Sequence, residues 1–412
     1  MVKSSVKVQR NWKLMISLAL NLSVLFALYN AVISVFIPNQ VANIDAQRAA
    51  SNLAVVMTVE MLFAMFIQPI VGALSDRTRC RFGRRTPWIV GGAVLGAAGL
   101  YLMSFQTTIA GLTVFWILAA VSLNAMNGPL VTTIADRFAE EERGVVSGVT
   151  GAAQTAAGSL GIVIAGYLAG RLGMGYLAFA AAIAIACILF CLTNPEPSSK
   201  DMEMEPFNLK EFIKGFWVNP KEYPDFGWAF FARFLMNIGY QGAVAYQLYI
   251  LRNYIGLSNA ESNHVIGRVS AVMMVGLLIS SLCSGWLSDY FKKRKRFVIF
   301  AAAIMACALV MPLLIPSVTG MLLYAGFMGL GYGTYIAVDY ALLIEVLPNS
   351  GENAGKDLGV LTIAQNTPQA LCPLIAVALL NLTGQNYASI FVFGVIVVAA
   401  SALCIVPIKS VK

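Results

Sequence analysis

Charged residues are scarce in this sequence: Asp, Glu, Lys and Arg make up 12% of 412 residues, and hydrophobic residues make up 58%. A soluble chain usually carries about a quarter charged residues, so too little charge is present to cover a water-facing surface. The apolar runs are long and continuous instead of alternating over about ten residues, which argues against a membrane β-barrel. The sequence therefore predicts an all-α integral membrane protein.

Groups that carry catalysis or bind metals are also scarce. The chain has one histidine, His264, and its seven cysteines are scattered without metal-ligand or disulfide spacing. An intramembrane enzyme would need a nucleophile beside a base, or metal ligands at membrane depth, and no such pair is visible. No ATP-binding motif appears either. We therefore expect no enzyme activity and no cofactor, and any uphill work must draw on an ion gradient.

Twelve apolar stretches are long enough to cross a bilayer as helices. We number these spans 1 to 12, and they run roughly over residues 14–37, 51–74, 87–105, 110–134, 144–170, 174–193, 226–251, 264–288, 297–316, 318–344, 357–381 and 386–407.

The basic residues set the orientation of these spans. With the N-terminus inside, all but five of the 28 Lys and Arg residues fall in cytoplasmic segments; the five are Arg48, Arg171, Arg233, Arg252 and Arg268. This asymmetry predicts a multi-pass protein of the cell membrane with both termini in the cytoplasm. The net charge of +8 therefore indicates a lipid bilayer as the partner, and no nucleic acid.

The two halves of the chain resemble each other. Gly72–Asp76 precedes a basic cluster after span 2, and the similar Gly285–Asp289 precedes another after span 8, 213 residues later. Such a parallel repeat of six spans predicts two pseudo-symmetric six-helix bundles, 1–193 and 226–412, joined by a cytoplasmic linker, 194–225. A short amphipathic helix is expected on the membrane surface around residues 209–217 of the linker.

The stretch GALSDRTRCRFGRR, from Gly72 to Arg85, resembles the signature loop of the major facilitator superfamily of transporters. Its longer form, followed by Pro87, resembles the sucrose-transporter-like branch and the related glycoside–cation symporters. Two further stretches resemble that branch, 127–136 in span 4 and 355–359 at the start of span 11. The resemblance implies the major facilitator fold, a monomer, and a solute site between the halves.

The chain departs from the plant sucrose carriers in span 4. Val131 and Ala120 stand where that subfamily has an arginine and an aspartate, so its proton-coupling pair is missing and its mechanism does not transfer. In the superfamily's architecture, acids and arginines at the cytoplasmic helix ends would hold that side closed. We expect such a gate from Asp76, Arg77, Arg84, Asp136, Arg143 and Asp289, with Arg77 or Arg84 reaching Asp136 and Asp76 facing the start of span 11. The alternative is a topology signal that only holds the loop in the cytoplasm, although such a signal needs arginines and no aspartate.

Glu60 lies near the middle of span 2, and an ionisable side chain at that depth is a candidate functional group. It could load and release a proton during transport, or it could be an inert glutamate within the helix packing. Arg233 in span 7 could extend to the membrane surface or pair with Asp339 of span 10. We place Glu60 and Asp339 in the ion-coupling site.

Amides and tyrosines within the spans are the candidate solute ligands, because bare amides facing lipid are costly. Amide and carboxylate hydrogen bonds with aromatic rings suit a neutral polyhydroxylated solute, although helix–helix hydrogen bonding could claim half of them. The superfamily resemblance favours spans 1, 4, 7 and 10. The full set is Asn30, Asn124, Asn127, Gln154, Asn237, Tyr240, Gln241, Tyr335, Asp339, Gln365 and Asn366.

The sequence thus favours a secondary active transporter that moves a small polar solute, a sugar or glycoside, by proton-coupled symport. Two alternatives stay open. One is a proton-driven exporter of an amphipathic compound, although span 5 has several glycines but lacks the proline of the superfamily's antiporter pattern. The other is a non-transporting sensor on a transporter fold.

Overall fold

The computed structural model describes residues 11–200, 223–291, 293–345 and 354–408. The described part is almost entirely helical and contains no strand, as the sequence predicts. The predicted surface helix around residues 209–217 lies outside the described residues.

The helices match the twelve predicted spans; most begin or end a few residues outside the predicted bounds, whereas span 12 is shorter at both ends. Their bounds in chain order are Trp12–Ala31, Val32–Phe36 and Ile37–Ile44 for span 1, then Ala49–Arg77, Thr86–Met103, Ile109–Arg137, Glu140–Leu168, Leu172–Thr193, Pro224–Ala245 with Gln247–Asn253 for span 7, Asn259–Phe291, Arg294–Leu314, Val318–Glu345, Ala354–Leu382 and Ala388–Ile405.

Within the described residues, eight helical stretches are long and apolar enough to cross a membrane, and one of them, Glu142–Thr193, covers spans 5 and 6. Spans 2, 7 and 11 fall outside this set. Glu60, Arg233 and Gln365 lie in these three spans.

Span packing follows a two-fold repeat. In the first half, span 1 packs on spans 5 and 6, span 3 on spans 4 and 6, and span 2 on span 4. The same pairs recur in the second half with six added to each number. Between the halves, span 5 packs on span 8 and span 2 on span 11. This packing places spans 2, 5, 8 and 11 at the junction of the two halves.

Two spans are interrupted near the same end of the bundle. In span 1 a π-helical turn, Val32–Phe36, precedes Pro38, whose missing N–H and bulky ring disturb the helical ladder. Span 7 breaks at Tyr246, whose φ of −108° and ψ of 11° leave the helical region. Both interruptions lie where the halves meet.

The helix ends form two groups, at opposite ends of the bundle. The basic end holds the helix ends at Arg77, Thr86 and Arg137 and those at Phe291 and Arg294; the far end holds the ends at Ile44, Ala49, Asn253 and Asn259.

Candidate functional site

A buried ion pair lies within the spans of the second half. Arg233 of span 7 donates from Nη1 to Asp339 Oδ2 of span 10 over 2.7 Å, and both residues are at most 6% exposed. Arg233 Nη2 also donates to Gln365 Oε1 of span 11 over 2.5 Å. Of the two predicted roles for Arg233, the structure therefore favours pairing, and the arginine ties spans 7, 10 and 11 together.

Aromatic and amide side chains extend this cluster. Asn237 Nδ2 donates to the Arg233 carbonyl over 2.8 Å, and Asn237 Oδ1 accepts from the Tyr332 hydroxyl over 3.2 Å. The rings of Tyr332 and Tyr240 stack with centroids 3.7 Å apart, and Tyr335 lies one step further at 6.0 Å from Tyr332. Because both Asn237 groups are occupied, this predicted solute ligand acts within the protein, while half-exposed Tyr240 remains accessible.

Glu60 occupies a different setting in the first half. Its side chain is buried, the residue being 6% exposed, and no lysine or arginine among the described residues lies within ion-pair distance. Its neighbours are Trp116 of span 4 and Tyr29 of span 1. The Tyr29 hydroxyl donates to the Ala120 carbonyl over 3.2 Å. Glu60 is thus a buried acid without a described counter-ion.

The predicted amides of the first half are all half-exposed at mid-span. Asn30 Nδ2 donates to the Phe26 carbonyl, and Asn124 Nδ2 donates to the Ala120 carbonyl, each over 2.9 Å. Asn127 Oδ1 is buried without a hydrogen-bond partner in the described structure. Gln154, and Gln241 and Asn366 in the second half, are half-exposed as well. Amides facing hydrocarbon are costly, so these positions indicate a water-accessible space.

The far end is closed by hydrogen bonds between the halves. The Tyr249 hydroxyl donates to the Pro38 carbonyl over 3.0 Å, and the Tyr246 hydroxyl lies 3.0 Å from the Ala50 carbonyl. Arg252 Nη2 donates to Asn39 Oδ1 over 2.6 Å, and Asn39 Nδ2 donates to Asn263 Oδ1 over 3.0 Å. Among the described residues, two further bonds join the halves: Asn263 Nδ2 donates to Asn39 Oδ1 over 3.4 Å, and the Thr58 hydroxyl donates to the Ala370 carbonyl over 3.0 Å.

At the basic end, the arginines that follow span 2 bind two acids. Arg84 and Arg85 reach Asp136 over 2.9 and 3.0 Å, and Arg85 reaches Asp76 over 2.7 Å. The predicted contact between Arg84 and Asp136 therefore forms. Arg143 instead donates to backbone carbonyls at the end of span 4, at 2.8 Å from Ala135 and 3.2 Å from Phe138.

Other parts of the predicted gate stay predictions. Arg77 lies in the last turn of span 2, but the side chains of Asp289 and of residues 354–363, which begin span 11, are outside the described structure. The contact expected between Asp76 and span 11 therefore stays a prediction.

Several residues of these clusters were missed by sequence reasoning. Glu196 in the linker accepts from the backbone N–H groups of Arg85 and Thr86 over 2.9 and 3.0 Å, which caps the first turn of span 3. Trp116 and the residues that surround Arg252 at the far end, Asn39 and Asn263, were also missed. The sequence did mark Arg252 as unusual, because it is one of the five basic residues that lie outside the predicted cytoplasmic segments.

The family model of the Major Facilitator Superfamily matches residues 19–262 and 230–411. The chain therefore belongs to this superfamily of membrane transporters of small molecules, and the predicted fold is confirmed.

Three proteins illustrate the similarity. The Fujikurins efflux protein of Gibberella fujikuroi is 24% identical over 365 residues, 86% of this chain and 73% of that protein. Monocarboxylate transporter 2 of Homo sapiens is 25% identical over 355 residues, 80% of this chain and 72% of that protein. The crystal structure of a D-xylose-proton symporter superposes with a TM-score of 0.71 at 16% identity, covering 97% of this chain and 98% of that one. At this identity the structural likeness supports the fold alone.

Proposed function

We propose that this protein is a secondary active transporter that moves a sugar or glycoside together with protons, by alternating access, as a monomer in the cell membrane. The basic end would face the cytoplasm, and the two six-span halves, 1–193 and 226–412, would be the bodies that move. The resemblance of residues 72–85 to the glycoside–cation symporters supports the solute class.

The observation that carries this proposal is the contrast between the two buried acids beneath the closed far end. Asp339 is neutralised by Arg233, whereas Glu60 has no described counter-ion. A buried carboxylate without a cation is costly, so Glu60 would be occupied by a proton while it is sealed from water. Release of that proton when the basic end is open would couple transport to the proton gradient.

The half-exposed amides and the tyrosine stack would bind the solute. Amides can donate to and accept from sugar hydroxyls, and the ring of Tyr240 offers a flat apolar surface for the C–H face of a pyranose. Asn30, Asn124, Asn127 and Gln154 would contribute from the first half. Gln241, Gln365, Asn366 and Tyr335 would contribute from the second half, beside Asp339.

Uptake into vesicles that contain the purified protein tests this function. A panel of radiolabelled mono- and disaccharides would be offered with and without an inward proton gradient. We expect accumulation of at least one sugar above equilibrium only when the gradient is imposed, and a protonophore should abolish it. No flux of any sugar under either condition would retire the sugar assignment.

Export of an amphipathic compound is a second candidate, which the similarity to the Fujikurins efflux protein over 86% of this chain favours. Its signature in the same vesicles would be proton-driven movement of an amphipathic dye in the opposite direction, with no saturable sugar flux.

A further inference from the structure

Arg233 determines the orientation of the Gln365 side-chain amide, that is, which of its two ends is the oxygen. A guanidinium group only donates hydrogen bonds, so the amide group 2.5 Å from Arg233 Nη2 has to be the oxygen. Gln365 makes no other hydrogen bond among the described residues, and it is half-exposed. Its Nε2 group is therefore left as a donor that points away from the ion pair.

Asn30 is fixed in the opposite sense. A backbone carbonyl only accepts hydrogen bonds, so the Asn30 atom that lies 2.9 Å from the Phe26 carbonyl has to be the nitrogen. The Asn30 oxygen accepts no hydrogen bond within the described residues, and Asn30 is also half-exposed. The first half thus offers an acceptor, beside the second N–H of the Asn30 amide, where the second half offers a donor.

These two groups lie at a similar depth below the closed far end. Asn30 precedes Pro38, the acceptor for Tyr249, by eight residues, and Gln365 precedes Pro373, an acceptor for Tyr246, by eight residues as well. At 1.5 Å per residue, each lies roughly 12 Å below its contact. Because spans 1 and 11 lie in opposite halves, one solute between the halves could reach both groups.

The charges at this depth disfavour an anionic solute. The ionisable groups near mid-span are Glu60, Arg233 and Asp339, and Arg233 already neutralises Asp339. No cation among the described residues of this region remains to balance a carboxylate. An incoming carboxylate would also meet the Asn30 oxygen and the Glu60 carboxyl group, with which it forms no favourable interaction unless one of them carries a proton.

We propose that Gln365, held by Arg233 as a positioning residue, is a specificity-determining donor, and that the site accepts a neutral polyhydroxylated solute and rejects carboxylates. A hydroxyl group both donates and accepts, so a polyol can satisfy Asn30 and Gln365 together. This inference rests on the proposed function, and it separates a sugar carrier from a carrier of monocarboxylates on the same fold.

The isosteric variant Gln365→Glu tests the donor directly. Its carboxylate keeps the contact with Arg233 but presents an oxygen where the amide presented N–H. We expect the KM for the transported sugar to rise at least tenfold, with a smaller change in maximal rate. Gln385→Glu is the matched control, because it introduces the same charge in the exposed turn that follows the same helix, and its KM should stay within about twofold.

The double variant Arg233→Gln/Asp339→Asn tests the positioning role. It removes both charges without leaving either one unpaired, so folding should survive, but the Gln365 amide is free to turn. We expect a severalfold rise in KM, whereas a purely structural ion pair would leave KM unchanged once the protein is folded.

Binding would be measured in detergent by thermal shift, with neutral mono- and disaccharides and with lactate and pyruvate. If a sugar stabilises the protein and Gln365→Glu abolishes this stabilisation, the result supports the proposal. If the same protein shows no gradient-driven uptake in vesicles, only the transport proposal is retired. If lactate or pyruvate stabilises the protein or is transported, and Arg233→Gln/Asp339→Asn abolishes this effect, the proposal is overturned. The chain would still be a transporter. Unchanged sugar affinity in Gln365→Glu, or no binding of any neutral sugar, would also overturn it.

Discussion

Glu60 in the first half and Asp339 in the second are both buried within their spans, yet their surroundings differ. Asp339 lies 2.7 Å from Arg233, which also holds Gln365, whereas Glu60 lies among Trp116 and Tyr29 with no described cation. The two halves share the same helix packing, but the charges around their buried acids differ. In the second half the buried acid is balanced by a cation, and we propose that the first half carries the acid whose charge changes during transport.

The largest loss of stability is expected when the buried ion pair of the second half is broken. Asp339→Asn leaves Arg233 buried without its counter-charge, which typically costs 3–5 kcal/mol. Glu60→Gln removes no described ion pair and should change stability by less than about 1 kcal/mol. Thermal unfolding of both variants in the same detergent measures this contrast.

The double variant Arg233→Gln/Asp339→Asn is the control for that experiment. It should recover most of the stability lost in Asp339→Asn, because replacing both members of a buried pair is often nearly neutral. Equal melting temperatures for Asp339→Asn and Glu60→Gln would contradict the distinction between the two halves.

A second comparison is between tyrosines that bond across the halves and one that does not. Tyr249→Phe removes the bond to Pro38, and such a bond contributes about 1 kcal/mol, so the far-end-open population should rise about fivefold. Tyr254→Phe removes a similar bond, 3.1 Å to the Pro312 carbonyl, but both partners lie in the second half.

Spin labels at Ala46 and Ala260, both exposed at the far end, would report the distance between the halves in a cysteine-free background. Tyr254→Phe should leave the distance distribution as in the parent protein. An equal shift in both variants would mean that the Tyr249 hydroxyl has no special role in closing the far end.

The smallest effect is expected at the basic end, where the ion pairs are partly exposed. Asp136→Asn should cost about 1 kcal/mol or less, and most of that cost should vanish in high salt because exposed charges are screened. Asp76, whose side chain is 53% exposed, should matter still less for stability. Melting curves at low and high salt measure this, and a salt-independent loss in Asp136→Asn would show that the cluster is effectively buried.

The residue pattern was sufficient to predict the span number and the repeat, because both depend on hydropathy and charge distributed over the whole chain. The contact between Arg84 and Asp136 was also predictable, since it follows from two motifs at neighbouring helix ends. Arg233 remained ambiguous because its depth alone allowed either pairing or extension to the membrane surface.

The far-end closure was not predictable. Its bonds join hydroxyls of Tyr246 and Tyr249 to backbone carbonyls near Pro38 and Pro373, and backbone acceptors leave no mark in a sequence. Glu196 was missed for a related reason, because it binds backbone N–H groups and not a charged side chain.

The difference between the two acids is tested most directly by comparing gradient-driven accumulation with counterflow of the same solute in Glu60→Gln. We predict that this variant retains counterflow, which needs only a solute site and alternating access, but loses accumulation under an inward proton gradient by at least tenfold. Accumulation that stays fully dependent on the proton gradient would show that Glu60 is not the coupling residue and would contradict the account.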